Sequence, residues 1–254
     1  MKGAGLRVKK FPARAYLIET RNGLIAWDTG YASHFQEAAQ GIYRLYPMVT
    51  PIHFDDSESL RHQLQHAGVT PRDLRMIILS HFHADHIAGL RDFPDTKLVC
   101  SKLAWDSVKL CTGFAALRKA FLPRLLPASI EQHLNFIEAS PLVKTPRALL
   151  PFTQAWDLLG DGELLIVALP GHAEGQLGAF IATESGWQLL AADAAWAPEA
   201  YRDLRGPSEL SFLIQHNRRQ YYQTLHALNA LHQNGQVSIH LAHETDVGAD
   251  EPSA

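Results

Sequence analysis

Cysteine is nearly absent from this 254-residue chain, which contains only Cys100 and Cys111. That is too few for a disulfide framework, and the spacing is not that of a thiolate metal site, so both read as reduced structural thiols and redox chemistry at sulfur is excluded. An excess of charge of one sign is also missing. With 23 Lys and Arg against 26 Asp and Glu the net charge is −3, which lacks the basic surplus of a polyanion-binding domain and argues against nucleic acid as a partner. No window reaches the roughly 18 uncharged apolar residues of a membrane helix. The opening stretch "MKGAGLRVKKFPARAYLIET" carries basic residues without the apolar centre of a secretion signal, so no membrane span and a cytoplasmic location are expected. Neither a serine nor a cysteine has a convincing triad around it, and covalent catalysis has no candidate nucleophile. Internal repeats, low-complexity tracts and linkers are missing too, so residues 1–254 are expected to form one domain, with only the tail "GADEPSA" read as disordered.

What is present is ordinary for a folded enzyme, with 46% hydrophobic residues in short runs. "AYLIET" and "GLIAWDTG" flank Arg21-Asn22-Gly23, a hairpin signal. Residues 57–68 carry a Ser57 cap, Leu60 and Leu64 at helical spacing and a terminating Gly68, which predicts a helix feeding the strand "RMIILS". Further strands are expected at "TKLVCS", "GELLIVALPGH", "GAFIATESGWQLLAADAAW" and "GQVSIHLAHE", and residues 209–233 form the longest helical pattern. Strands and helices alternating in this order predict an α/β (α+β) layered sandwich, sheets flanked by helices.

Histidine is plentiful, at 14 residues. Residues 80–90 read "SHFHADHIAGL" directly after an apolar strand. His81, His83 and Asp85 alternate, so an extended backbone would send all three to one side, and His86 falls on the first turn of the helix begun by "DHIAGLRDF". Three later strand runs end in a ligand-type residue, namely His172, Asp193 and His243. Side chains just beyond strand ends converge where α/β enzymes hold their ligands. Five imidazoles and two carboxylates suit a pair of borderline metals such as Zn²⁺. The other nine histidines join no ligand spacing and are read as surface or core residues, His240 inside its strand among them.

The stretch His81, His83, Asp85, His86 is similar to the HxHxDH signature of the metallo-β-lactamase superfamily, and His172 in "PGHAEGQ", Asp193 in "AADAAW" and His243 in "LAHE" follow in the family's order. "WDTG", with Asp28, Thr29 and Gly30, resembles the family's short motif after its second strand. The resemblance implies an αββα sandwich of two mixed sheets with two Zn²⁺ at its edge, Fe, Mn or Co being alternatives. His81, His83 and His172 would hold one ion; Asp85, His86 and His243 the other; Asp193 would bridge them, and Asp85 and Asp193 are the candidate catalytic carboxylates. Asp28 is read as a group that orients a ligating imidazole. An aspartic-protease reading of Asp-Thr-Gly would need a second such triplet and leaves the histidines without a use.

Among superfamily branches the layout is most similar to acyl-homoserine lactone lactonases, with a helical insertion at about 101–150. "LCTGFAALRKAFLPRLLP" within it suits covering an acyl chain, packing against a second copy as a homodimer, or ordinary domain packing. Two departures stand out. Trp196 occupies the place of a tyrosine that assists the leaving group in many of those enzymes, and Ala84 replaces a bulky aromatic. Ala84, Trp196 and Tyr201 are therefore the candidate substrate-pocket residues, with Trp196 expected to be an apolar wall and Tyr201 or Tyr31 a substitute hydroxyl. The expected partner is a small-molecule lactone, ester or thioester. Acyl thioesterases of the glyoxalase II kind are the enzymatic alternative, and a metal-bound signalling protein without turnover is the non-enzymatic one.

Overall fold

The computed structural model describes residues 11–244, so the tail "GADEPSA" lies outside the described residues. The chain opens with β1 (Tyr16–Thr20) and β2 (Gly23–Trp27), paired antiparallel across Arg21-Asn22 as the hairpin signal predicts. Gly23 takes φ +113 there, a conformation that side-chain-bearing residues rarely adopt. β3 (Leu74–Ile78), β4 (Leu98–Cys100) and β5 (Leu134–Phe136) continue the sheet in parallel, giving a five-stranded sheet in the order β1-β2-β3-β4-β5. The second sheet has six strands: β6 (Leu142–Lys144), β7 (Gln154–Asp157), β8 (Leu164–Ala168), β9 (Leu177–Thr183), β10 (Gly186–Leu190) and β11 (Val237–His240). Its pairings are antiparallel except the last, β10 with β11.

Strand alternation shows why the two sheets must stack. Ile25, Trp27, Met76 and Ile78 from the first sheet share one buried cluster with Leu164, Ile166, Ala179 and Leu190 from the second. Their neighbours point outward: Ala26, Ile77 and Leu79 pack with Phe35, Leu60, Leu64 and Trp105 of the helices on one side. On the other side Leu165, Val167, Phe180 and Leu189 pack with Tyr221, Leu225, Leu228 and Leu231. Both faces of each sheet are thus apolar, and the result is a four-layer αββα sandwich.

Three local expectations are corrected. The helix expected from Ser57 begins slightly later, at Leu60–His66 with Ser59 as its cap, because Asp55 and Glu58 form a capping box around the short 3₁₀ turn Asp56–Glu58. The pattern over 209–233 is not one helix. A 3₁₀ turn covers Glu209–Leu213 and the α-helix runs only Arg218–Asn234, with the Asn217 side chain accepting from the Gln220 N–H at 3.1 Å. The break has a cause: the His216 and Asn217 amides donate to the carbonyls of His172 and Gly171, each at 2.9 Å, instead of continuing a helix. Segment 101–150 is helical in its first half, at Lys102–Val108 and Gly113–Arg118. Its second half supplies β5 and β6, which extend both sheets. Cys100 and Cys111 are free thiols. Among the described residues no helix is long and apolar enough to cross a membrane.

Candidate metal centre

The site forms where strands of both sheets end. After β3 the chain bends at Ser80 and runs without regular structure to His83, which is extended, then turns into the short helix Ala84–Ile87, which places Asp85 and His86 beside His81 and His83. The loop after β8 brings His172, the loop after β10 brings Asp193, and the residues after β11 bring His243. All seven predicted ligands come together. His81, His83, His172 and Asp193 make one set with donor atoms within 4.8 Å of one another, and Asp85, His86 and His243 make a second. Asp193 stands between them: Oδ2 is 2.9 Å from His243 Nε2 and 3.3 Å from His172 Nε2, and Oδ1 is 3.2 Å from His86 Nε2.

Electrostatics divides the imidazoles. Burial pushes His81 and His172 well below the usual histidine range and His83 down to about 4, so these rings are neutral with lone pairs available. Burial acts the same way on His86 and His243, but there it is outweighed. Asp85, Asp28 and Asp193 hold His86 well above its ordinary value, and Asp193 with Asp85 lifts His243 to about 9. Burial would likewise raise Asp193, yet the facing imidazoles His243, His86 and His172 keep it well below the usual carboxylate range.

The residues present fit bound cations. At the centre, His81 Nε2, His86 Nε2 and Asp193 Oδ1 are buried without a well-formed hydrogen bond, a costly arrangement for a protein core unless a ligand satisfies the atoms. The outward nitrogens of His81, His86 and His243 are held in place. Asp28, fully buried, accepts from the Ser80 N–H at 2.7 Å, from the Ser80 hydroxyl at 2.7 Å and from His86 Nδ1 at 2.8 Å. Ser80 Oγ is also 2.9 Å from His81 Nδ1. His243 Nδ1 donates to the Pro12 carbonyl at 2.6 Å, leaving Nε2 to face the centre. Thr29 secures the same helix, its N–H and hydroxyl both donating to the His86 carbonyl at 2.9 Å. The expectation for Asp28 is met, whereas Ser80 and the Pro12 carbonyl were missed; adjacency to the histidine cluster was the only signal for Ser80, and nothing marked Pro12.

The loop carrying His172 is clamped from behind. Gly171 has φ +127, and a Cβ there would lie 2.1 Å from the Tyr221 nitrogen, so only glycine lets the helix Arg218–Asn234 approach this closely.

Of the candidate pocket residues, Trp196 faces the centre and the others do not. Its ring meets His172 edge-on at 5.7 Å, and its indole N–H donates to Asp193 Oδ2 at 3.1 Å, so it is more than the expected apolar wall. Ala84 is fully buried under the centre, its N–H donating to the Ala120 carbonyl at 2.9 Å. Tyr201 is 2% exposed in the core behind the second sheet, its ring against His232. The phenol at the site belongs instead to Tyr46, which lines the cavity beside Asp85 and shares a hydrogen bond with Tyr31. Burial first, then the nearby Asp85, keeps both phenols neutral far above the ordinary tyrosine range.

Two cavities open from the centre. One, of about 630 Å³, is walled by Leu45, Val49, Phe114, Leu117, Trp196 and Ile214 and reaches Asp85, Asp193 and His243. The other, of about 540 Å³, is lined by Arg118, Lys119, Glu174, Gln215 and His216 together with Phe82 and Val108. His83 and His172 border both.

Comparison with known proteins agrees with this geometry. Residues 8–235 match the sequence profile of the metallo-β-lactamase superfamily. An N-acyl homoserine lactonase of Bacillus cereus is 27% identical over 199 residues, covering 76% of this chain and 67% of that protein. A probable metallo-hydrolase of Mycobacterium tuberculosis strain H37Rv is 30% identical over 189 residues, covering 70% of this chain but only 55% of that protein. Among solved structures, an N-acyl homoserine lactone hydrolase with N-hexanoyl-L-homoserine at its catalytic metal centre superposes with a TM-score of 0.65 at 19% identity, over 92% of this chain and 82% of that one.

Proposed function

Since the chain belongs to the metallo-β-lactamase superfamily of metal-dependent hydrolases, we propose that it is a dinuclear zinc hydrolase that opens lactones carrying an apolar acyl chain, N-acyl-homoserine lactones among them. The observation that carries the reading is Asp193, its two carboxylate oxygens in contact with imidazoles of both ligand sets and its side chain on the wall of a largely apolar cavity. The set of imidazole and carboxylate donors without thiolate suits Zn²⁺, with Fe, Mn and Co compatible. When bound, such a pair of ions supplies Lewis acidity and brings the pKa of water close to neutrality.

The chain's own residues do the rest. His81, His83 and His172 would hold one ion, Asp85, His86 and His243 the other, with Asp193 shared. Asp28 and the Pro12 carbonyl fix the His86 and His243 rings so that Nε2 faces inward. Leu45, Val49, Phe114, Leu117 and Ile214 would exclude water around an acyl chain. Tyr46, a neutral phenol on that wall, is placed to donate to a substrate oxygen. The first relatives support a lactone substrate by their names.

One observation favours a second reading, a thioester substrate. The indole N–H of Trp196 is taken up by Asp193, so this position offers no proton to a departing alkoxide. A thiolate, whose conjugate acid has a pKa of about 8.5, departs without such help. The deciding experiment is a turnover panel of acyl-homoserine lactones, acyl thioesters, phosphodiesters and β-lactams, with metal quantified in the same sample. Lactone hydrolysis scaling with metal content to about two ions per chain is the expected result. Thioester turnover without lactone turnover would replace the reading, and a fully loaded protein inert to every carbonyl substrate would end it.

A further inference from the structure

The reaction needs only one substrate arm to be apolar, yet the centre opens into two cavities of similar size, the second carrying more polar and charged side chains on its wall. The second holds an arrangement that the hydrolytic site does not use. Gln215 is 8% exposed, and both its amide nitrogen and its amide oxygen are buried without a partner. Arg118 lines both cavities and makes no ion pair with any described residue. The neighbouring charges are already satisfied: Lys119 Nζ donates to Glu174 Oε2 at 3.1 Å, and the same oxygen lies 3.9 Å from His216 Nδ1. What remains is one uncommitted guanidinium and one uncommitted buried amide on the wall of a cavity of about 540 Å³ bordered by His83 and His172. That volume falls within the usual range of small-molecule sites.

The structure assigns this second cavity to a carboxylate-bearing arm of the substrate, so that the molecule cleaved is a two-armed acyl compound with an apolar chain on one side of the carbonyl and a carboxylate on the other. A planar carboxylate takes two parallel N–H donations from guanidinium, a match a neutral arm cannot make. The Gln215 amide adds a donor, and its orphaned polar atoms give a polar arm an advantage over an alkyl one, since burying unpaired amide atoms beneath an alkyl group costs free energy. The assignment rests on the hydrolase reading and narrows its substrate to an acyl compound that carries a free carboxylate, which an intact N-acyl-homoserine lactone lacks, and its test does not depend on turnover.

The test measures binding to metal-loaded protein by calorimetry with two amides that resist cleavage, N-octanoyl-4-aminobutanoate and the neutral N-octanoyl-butylamine. In the wild type the carboxylate compound binds more tightly. Arg118→Gln should reduce the ratio of the two affinities by about tenfold, the scale of an accessible charge-assisted pair, and Gln215→Leu, of similar volume, by several-fold. Lys109→Gln removes an equal charge from an exposed site paired with Asp106, and should leave the ratio as it is. An equal ratio in wild type and Arg118→Gln would overturn the assignment, as would failure of the carboxylate compound to bind. An equal fall in Lys109→Gln would reduce the effect to net charge and overturn it too. If the carboxylate instead coordinates the ions, the Arg118 and Gln215 changes leave the ratio untouched, which is again a refutation. Absence of ester, lactone or thioester turnover in the same loaded protein would count against the hydrolase reading alone.

Discussion

Asp28→Asn is a sharp test of how the centre is held. The residue is fully buried at φ +57, a backbone conformation asparagine tolerates, so the change costs little locally. Oδ1 can keep accepting from the Ser80 N–H at 2.7 Å. The other position becomes an NH₂ that confronts two groups now donating into it, the Ser80 hydroxyl at 2.7 Å and His86 Nδ1 at 2.8 Å. Ser80 Oγ can accept from the new NH₂ while still accepting from His81 Nδ1, 2.9 Å away, which leaves His81 Nε2 unprotonated. His86 has only one escape, to move its proton to Nε2, the nitrogen that faces Asp193 at 3.2 Å and would have to ligate. Removing such a supporting group typically costs 10–100-fold in metal affinity, about 1.4–2.7 kcal/mol. The expected outcome is a weakened second site with the first occupied, read by chelator competition, and an Nε2–H tautomer of His86 read by ¹⁵N NMR. An unchanged affinity for the second ion, with Nδ1 still protonated, would refute the reasoning.

Replacing His86 or His243 by alanine should lower bound metal from about two ions per chain toward one, and Asp193→Asn should weaken both sites; elemental analysis of the wild type giving no more than one ion in excess zinc would contradict the shared-carboxylate geometry. Trp196→Phe removes the N–H donated to Asp193 while keeping the aromatic wall, so a several-fold loss of metal affinity is expected, and unchanged affinity would restore the purely apolar role. Gly171→Ala drives a Cβ into the Tyr221 backbone and should cost about 3 kcal/mol or more, visible as a lowered Tm; full stability would mean the helix can retreat. Burial pushes the His240 imidazole below its ordinary value of 6.5, so the fold favours the neutral ring, and the stability this gives is present above pH 6.5 and lost as pH falls through the folded-state value; His240→Leu should flatten that part of the acid unfolding profile measured by Tm against pH, and an unaltered profile would remove His240 from the account.

The candidate metal ligands were legible because ligation restricts residue type as well as place. Only a few side chains can donate to a borderline cation, and His81, His83, Asp85 and His86 concentrate four of them behind one strand, while His172, Asp193 and His243 each follow an apolar run by a few residues. The two sheets were legible for a similar reason, since strands buried on both faces read as continuous apolar runs. The broken helix was not. Residues 209–233 carry a continuous helical pattern, and what stops the helix is a pair of carbonyls at Gly171 and His172, far away in the chain. Tertiary hydrogen bonds overrode local propensity there.

The substrate side was the least legible, and the geometry explains why. Cavity walls require shape and polarity, which many residue types supply, so they leave no motif. Leu45 and Val49 come from one short helix, Phe114, Leu117 and Arg118 from another, Trp196 from the loop after β10, and Ile214 and Gln215 from the turn that interrupts the helical pattern. Tyr201 was a reasonable candidate from its distance to Asp193 in sequence, but it lies on the helix Pro198–Arg202 and is turned into the core behind the second sheet. Tyr46, far from every ligand in sequence, is the phenol that lines the cavity. Trp196 illustrates the same limit at closer range: its position three residues after Asp193 was readable, but the direction of its N–H was not. Because that N–H ends on Asp193, the carboxylate between the two candidate ligand sets, the side chain that distinguishes this chain from the lactonase pattern touches a candidate metal ligand before any substrate. Metal affinity, measured apart from turnover, is therefore the quantity in which its role will show.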